Sequence, residues 1–166
     1  MIKPTNQDKG RPLAIIVPTH TSGGAERVVS RLTQWFACEE HVLLITFDAS
    51  DTAFKFGGQL LNLSLPASRG VVGKICNQVR RVRVLRRVLQ DHRPRTVIAF
   101  MEAAAIPLLK ARAKFDEYLP VTVSTRVDTL FLPAVARIQV RRWYPKADRI
   151  VFPAFAMIAR AVDELG

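Results

Sequence analysis

Two adjacent glycines, Gly23 and Gly24, stand between a short apolar run and a stretch with helical spacing. Glycines in such a turn allow positive φ and let a ligand approach the backbone closely. The unpaired N–H groups at the start of the following helix favour a negatively charged group such as a phosphate. Neither the P-loop pattern nor the G-x-G-x-x-G dinucleotide spacing is present. The turn is therefore a candidate phosphate site, and the alternative is a turn that needs small residues only for packing.

Two single side chains near predicted strand ends, His20 and Glu102, are further candidates. His20 lies in the glycine turn, although a lone loop histidine is more often a plain polar residue. Glu102 comes directly after an apolar run, and we expect it to be a helix-start carboxylate stabilised by the helix dipole. Neither residue is assigned a catalytic role on these grounds.

The second chemical feature is a basic segment over 69–95, with nine basic residues against one acid, an excess of eight positive charges. The whole chain has a formal net charge of +11, so most of its charge lies in this segment. The spacing predicts an amphipathic helix over 71–91. Its apolar arc would hold Ile75, Val79, Val82, Leu85 and Leu89. Its basic residues would include Arg80, Arg83 and Arg87 on one neighbouring face, with Lys74 and Arg81 on the other flank.

A basic amphipathic helix of this kind suits an anionic membrane surface or a pyrophosphate group. The alternative is a solvated face of an ordinary helix that covers a sheet. Nucleic acid is a further option for an arginine cluster. It is disfavoured because the segment has no interleaved aromatic residues and no recognisable nucleic-acid module.

Length and composition exclude several protein classes. The 166 residues suit one domain, and 49% of them are hydrophobic, as in a globular protein. Two cysteines, Cys38 and Cys76, give no disulfide framework and no metal-ligand spacing, which favours a reduced, cytoplasmic setting. No apolar run reaches the roughly 20 residues of a spanning helix, and the polar start is unlike a signal peptide. Peripheral membrane association stays open.

The elements that must position these residues alternate between strands and helices. Strands are predicted over 13–17, 41–47, 60–65, 96–100, 121–124 and 150–152, and helices over 25–36, 71–91, 102–114, 130–143 and 154–165. The pattern predicts a single Rossmann-like α/β domain over 1–166, a doubly wound, mostly parallel sheet with helices on both faces. Ligands of such sheets bind at the carboxyl ends of the strands, where the strand order reverses.

Four short strings, in this order, resemble the N-terminal half of the family-4 retaining glycosyltransferases, which have the two-domain GT-B architecture. They are GGAER at 23–27, RPRTVI at 93–98, VSTR at 123–126 and YPKADRIV at 144–151. The glycine string is fairly specific, and the others support it by order and spacing. After the last strand the family usually has serine and a charged residue, whereas this chain reads FPAF at 152–155.

The resemblance implies roles for residues at matching positions. The main-chain N–H groups of Gly23 and Gly24 would approach the diphosphate of a nucleotide-sugar donor. His20, Ser124 and Arg126 would line the cleft, where Arg126 could meet donor phosphates or a phosphorylated acceptor. Arg126 could instead be a surface residue that pairs with Asp128. No catalytic residue is identified, and the family uses no metal ion or other cofactor.

The resemblance also implies an activity for the whole enzyme. It would transfer a sugar from a nucleotide-sugar to a glycan or lipid-linked acceptor with retention of configuration. Such enzymes act in the cytoplasm, some at the inner face of the membrane, in cell-envelope polysaccharide biosynthesis. This chain would be the acceptor-side domain without the donor-binding C-terminal domain, and we expect it to be inactive alone.

Two other interpretations remain at this point. One is a stand-alone basic α/β module that binds an anionic membrane or nucleic acid through 74–95. The other is a nucleotide-binding protein unrelated to glycosyl transfer, which the missing dinucleotide spacing disfavours.

Overall fold

The computed structural model describes residues 10–19, 23–49, 54–68, 70–125 and 132–165. The described residues form one six-stranded sheet and five α-helices. The strands are β1 (Leu13–Thr19), β2 (Val42–Asp48), β3 (Gln59–Asn62), β4 (Thr96–Phe100), β5 (Val121–Ser124) and β6 (Arg149–Val151). The helices are α1 (Gly24–Phe36), α2 (Val71–His92), α3 (Glu102–Arg112), α4 (Ala134–Trp143) and α5 (Phe155–Leu165), with a 3-10 turn at Tyr144–Lys146.

The sheet has the order β3-β2-β1-β4-β5-β6, and every neighbouring pair is parallel. This confirms the predicted doubly wound α/β fold. The predicted start of α4 at residue 130 is wrong, since residues 132 and 133 are not helical and Pro133 is the N-cap of a helix that begins at Ala134. A proline has no N–H to donate and fits better just outside the helix than within it.

Two apolar cores lie on opposite faces of the sheet, because successive side chains of a strand point to opposite sides. In β1, Ala14 and Ile16 belong to the core beneath α2, α3 and α4. Their neighbours Leu13, Ile15 and Val17 belong to the core beneath α1. The uninterrupted apolar run of β1 therefore reflects a strand that helices cover on both sides.

The strand order reverses between β1 and β4. From β1 the chain passes to β2 on one side, and from β3 it crosses back to place β4 on the other side of β1. The connecting helices α1 and α3 lie on opposite faces of the sheet, as the two cores show. The carboxyl ends of β1 and β4 therefore open a crevice at the position where doubly wound proteins bind ligands.

Helix α2 is much longer than the strands it crosses. Its 22 residues span about 33 Å, whereas the five residues of β4 span about 17 Å. The second half of α2 is anchored by Leu85 and Leu89, which are fully buried, while Ile75 and Val79 in the first half are 60% and 45% exposed. The expected single core-facing arc is therefore wrong for the first half of α2. Because α2 runs from the carboxyl end of β3 to the amino end of β4, this uncovered half lies at the carboxyl edge of the sheet.

The amino edge of the sheet carries all four ion pairs found among the described residues. They are Arg11–Glu117 (3.0 Å), Arg93–Glu117 (3.6 Å), Arg112–Asp148 (3.0 Å) and Arg95–Glu40. Asp148 also accepts hydrogen bonds from the Val121 N–H (2.7 Å) and the Tyr118 hydroxyl. Burial pushes the pKa of Asp148 upward, but these two hydrogen bonds and the Arg112 charge outweigh it and lower the pKa. The turn before β6 is thereby joined to β5 and α3.

No helix in the described part of the chain is both long enough and apolar enough to span a membrane.

Asp148→Asn is expected to destabilise the chain by about 1 kcal/mol at pH 7, because the charge-assisted bonds of a partly exposed carboxylate are lost. Since the folded pKa lies below the ordinary value of 3.8, the contribution of Asp148 is complete above that pH and is lost as the pH falls through the folded pKa. Urea unfolding should show a gap between wild type and variant at pH 7 that narrows at acidic pH. Asp116→Asn, at an exposed position on the same edge, is the control, and a gap independent of pH would contradict the prediction.

Candidate functional site

The glycine turn brings the start of α1 to the carboxyl end of β1. Gly23 is the N-cap of α1 with φ −79° and ψ 169°, and Gly24 is the first helical residue. Among the described residues, the glycines with positive φ are Gly10, Gly58 and Gly70. Gly23 and Gly24 therefore do not use the positive φ that glycine allows, so the presence of glycine at these positions has another cause.

The side chain of Glu26 explains Gly23. Glu26 is only 5% exposed, and its Oε1 accepts a hydrogen bond from the Thr19 hydroxyl at 3.2 Å. Its carboxylate folds back over Gly23, so a Cβ at that position would collide with Oε2. A Cβ at Gly24 would meet no atom within 4 Å. Gly24 therefore presents open backbone to a ligand, whereas the corresponding side of Gly23 is covered by a carboxylate.

A signal for this contact exists in the sequence. Glu26 stands three residues after the N-cap, the position from which a glutamate reaches back in a capping box. The capping-box pattern is incomplete, because the N-cap is glycine and lacks the usual Ser or Thr hydroxyl. The sequence alone therefore does not predict this role for Glu26.

The end of β4 forms the other side of the crevice. Met101, the N-cap of α3, has φ 64° and ψ 156°, a backbone conformation that non-glycine residues rarely adopt. Its N–H donates to the Ser124 carbonyl at 2.9 Å, which joins the turn after β4 to the end of β5. Glu102 follows in the first turn of α3, as predicted, so its carboxylate is half-buried at the carboxyl edge of the sheet.

Glu102 has two polar neighbours from distant parts of the sequence. The Thr125 hydroxyl donates to Glu102 Oε1 at 2.7 Å. Tyr144 is 1% exposed, and its hydroxyl lies beside Thr125 and Glu102. Burial, together with the negative charge of Glu102, raises the pKa of Tyr144, so this hydroxyl keeps its proton. Nothing in the local sequence of Thr125 or Tyr144 indicates this contact, because only the fold brings them to Glu102.

The structure places the predicted cleft residues at one edge as far as it describes them. Gly23, Gly24 and Ser124 all lie at the carboxyl edge of the sheet. His20 and Arg126 lie outside the described residues. Within the described ranges, no three His, Cys, Asp or Glu side chains are grouped so as to hold a metal ion.

The predicted basic residues of α2 fall into two groups. Lys74, Arg80, Arg83 and Arg87 are exposed, and we call them the basic surface. None of these four is in an ion pair with another residue that the structure describes. Arg81 does not share this exposure, because its guanidinium stacks on the Phe47 ring at 4.2 Å and donates to the Leu65 carbonyl at 2.9 Å. Burial lowers the pKa of Arg81. The contacts of its side chain with Phe47 and Leu65 attach α2 to the rest of the domain.

Comparison with known proteins finds a relative by sequence and further proteins of similar structure. The chain is 26% identical over 141 residues to the GalNAc-alpha-(1->4)-GalNAc-alpha-(1->3)-diNAcBac-PP-undecaprenol alpha-1,4-N-acetyl-D-galactosaminyltransferase of Campylobacter jejuni subsp. jejuni serotype O:2. The match covers 83% of this chain and 39% of that protein. A scan against protein-family profiles finds no match.

Among solved structures, the apo form of the lipopolysaccharide outer core galactosyltransferase WaaB superposes with a TM-score of 0.68 at 14% identity. The UDP-GlcNAc 2-epimerase from Methanocaldococcus jannaschii superposes with a TM-score of 0.54 at 12% identity. The chain has their fold. Each superposition covers 92% of this chain and 42% of the neighbour, so the chain spans about two fifths of the proteins it matches.

Gly23→Ala is expected to destabilise the chain by about 1 kcal/mol, because the new Cβ displaces the buried Glu26 carboxylate from its hydrogen bond with Thr19. Gly24→Ala is the matched control and should be neutral or stabilising, since alanine favours a helix and meets open space. Urea unfolding of both variants measures the difference.

A double-mutant cycle checks the cause. In a Glu26→Ala background, the cost of Gly23→Ala should largely disappear, because the colliding carboxylate is absent. An unchanged cost in that background would contradict the role given to Glu26.

Proposed function

We propose that this chain is the acceptor-side half of a glycosyltransferase of the GT-B type. The whole enzyme transfers a sugar from a nucleotide-sugar to a hydroxyl of a glycan or lipid-linked acceptor, with retention of configuration. The similarity to the Campylobacter transferase along 83% of the chain carries the proposal. The shared fold with the galactosyltransferase WaaB supports it.

In this proposal the diphosphate of the donor meets the start of α1 at Gly24. The open backbone there and the positive end of the helix dipole support an anion at this position. The carboxylate of Glu26 keeps the diphosphate away from the covered side of Gly23. By the resemblance to the family, His20, Ser124 and Arg126 would line the same cleft, and the transfer would need no metal ion.

The proposal includes a second, donor-binding domain beside the one formed by residues 1–166. An exposed apolar surface on α5 supports it, since Phe155 and Val162 are 91% and 63% exposed. Val151 on the edge strand β6 is also exposed. Apolar side chains grouped at one side of a domain are typical of a surface that another domain or protein covers.

The 166-residue chain alone is expected to give no sugar transfer and to bind UDP weakly, because in this proposal most contacts to the donor belong to the second domain. The assay uses radiolabelled UDP-N-acetylgalactosamine and UDP-galactose with an undecaprenyl-pyrophosphate-linked glycan. A chimera that joins this chain to the C-terminal part of the Campylobacter relative should transfer sugar, with that relative as the positive control. Turnover by the chain alone would contradict the proposal that transfer needs a second, donor-binding domain. A folded chimera that transfers no sugar would contradict the proposed transferase activity.

We further propose that the basic surface binds the anionic face of a membrane or the pyrophosphate of a lipid-linked acceptor. Three of its residues, Lys74, Arg80 and Arg83, lie within about one helical turn of the exposed Ile75 or Val79 on α2. Such a combination of cationic and apolar groups is typical of helices at membrane surfaces. The first half of α2 lies at the carboxyl edge of the sheet, where the crevice opens. A lipid-linked acceptor held on α2 would therefore present its glycan toward the crevice.

Reversing three charges, Arg80→Glu/Arg83→Glu/Arg87→Glu, is expected to weaken binding to phosphatidylglycerol vesicles on the order of a hundredfold or more, since each basic residue contributes about 1 kcal/mol near an anionic surface. Co-sedimentation measures this binding. The matched control reverses Arg31, Lys114 and Arg149, three exposed cations outside α2.

Ile75→Ser/Val79→Ser should also weaken vesicle binding, and this loss should persist at high salt because it concerns apolar contact. Equal losses in the triple variant and its control would contradict a specific surface. Salt-sensitive binding to DNA without vesicle binding would favour the nucleic-acid alternative instead.

A further inference from the structure

We propose that Glu102 binds a hydroxyl group of the acceptor sugar, that Thr125 holds its carboxylate in place, and that Tyr144 donates to the carboxylate from the buried side when the sugar is bound. The proposal rests on the proposed function, since it names the group of the acceptor that this half of the enzyme recognises. Three observations carry it: the place of Glu102 in the fold, the hydrogen bond from Thr125, and the buried hydroxyl of Tyr144.

The first observation is the place of Glu102. It follows β4 directly, and β4 borders the point at which the strand order reverses. Met101, the residue before it, holds an unusual backbone conformation and is fixed by its hydrogen bond to the Ser124 carbonyl. The carboxylate therefore stands at the crevice on a turn that is bound to the neighbouring strand.

The second observation is the way in which the carboxylate is held. Thr125 donates to Oε1 at 2.7 Å, and this fixes the orientation of the whole planar group. A carboxylate is a strong acceptor for hydroxyl groups and repels phosphates. The negative charge of Glu102 therefore favours a neutral group rich in hydroxyl donors, as a sugar is, on the β4 side of the crevice.

The third observation is the hydroxyl of Tyr144. It is buried, lies beside Thr125 and Glu102, and has no hydrogen bond of good geometry within the described structure. A buried hydroxyl without a partner is costly, so its retention next to a carboxylate indicates a use. Since Glu102 is half-buried and Tyr144 is not accessible, the carboxylate is the part of the group that solvent reaches. Tyr144 is thus a positioning residue that can donate to Glu102 from the buried side.

The test measures sugar binding by the 166-residue chain, with methyl α-galactoside and methyl N-acetyl-α-galactosaminide as probes in an NMR titration. The wild-type chain should bind at least one of them at millimolar concentrations. Glu102→Gln keeps the shape of the side chain but replaces one acceptor oxygen with a donor, and should weaken binding about tenfold or more. Glu117→Gln removes a carboxylate at the opposite edge of the sheet and should leave binding unchanged.

Tyr144→Phe separates positioning from folding. Removing a buried hydroxyl without a hydrogen bond should leave the thermal stability of the chain equal or higher. Sugar binding should nevertheless weaken severalfold, because the hydroxyl that donates to Glu102 in the sugar-bound state is absent. Unchanged sugar binding in this variant would overturn the role of Tyr144.

The role of Glu102 is overturned if neither glycoside binds the wild-type chain, or if Glu102→Gln binds as the wild type does. The chimera described above keeps this result separate from the transferase assignment. If sugar binding depends on Glu102 but the chimera transfers no sugar, the proposed hydroxyl site stands and the proposed transferase activity is rejected. If the chimera transfers sugar but Glu102→Gln binds sugar as the wild type does, the transferase activity stands and the hydroxyl site at Glu102 is rejected.

Discussion

All six strands run in the same direction, and this constraint determines where every other feature of the molecule lies. Each strand must deliver its carboxyl end to the same edge, and each connection must return to the amino edge, as α1, α2, α3 and α4 do across the faces of the sheet. The turns after β1, β4 and β5 are therefore neighbours, although they are far apart in the sequence. Gly24, Glu102 and Thr125 meet at one edge for this reason alone.

Charge is distributed unevenly around that edge. The described carboxylates of Glu26 and Glu102 stand at the two sides of the crevice, while the exposed cations of the basic surface lie on α2. A substrate with a neutral glycan and an anionic carrier would match both regions at once. The amide groups at the start of α1 supply positive potential without a side-chain charge, which suits a diphosphate close to Gly24.

The sequence is informative about this fold because its strongest patterns are local. Apolar runs such as that of β1 and the helical spacing of α2 depend on neighbouring residues, so the strands and helices were predicted closely. The exposure of Ile75 and Val79 could not be predicted. It depends on how far α2 extends beyond the strands on which it packs, and the sequence does not show where α2 lies relative to those strands. Glycine is needed at position 23 because a Cβ there would collide with Glu26. The residues that contact Glu102 come from two other connections of the sheet. Neither requirement is visible in the sequence of a single segment.

The four ion pairs between described residues, Arg11–Glu117, Arg93–Glu117, Arg95–Glu40 and Arg112–Asp148, lie at the amino edge, away from the crevice. Arg11, Glu117 and Asp148 join the starts of strands whose other ends carry the candidate site. The electrostatic ties that brace the domain are thereby separated in space from the groups that select a ligand. Such a division lets the crevice accumulate substitutions, and so change the sugar it accepts, while the scaffold beneath it stays intact.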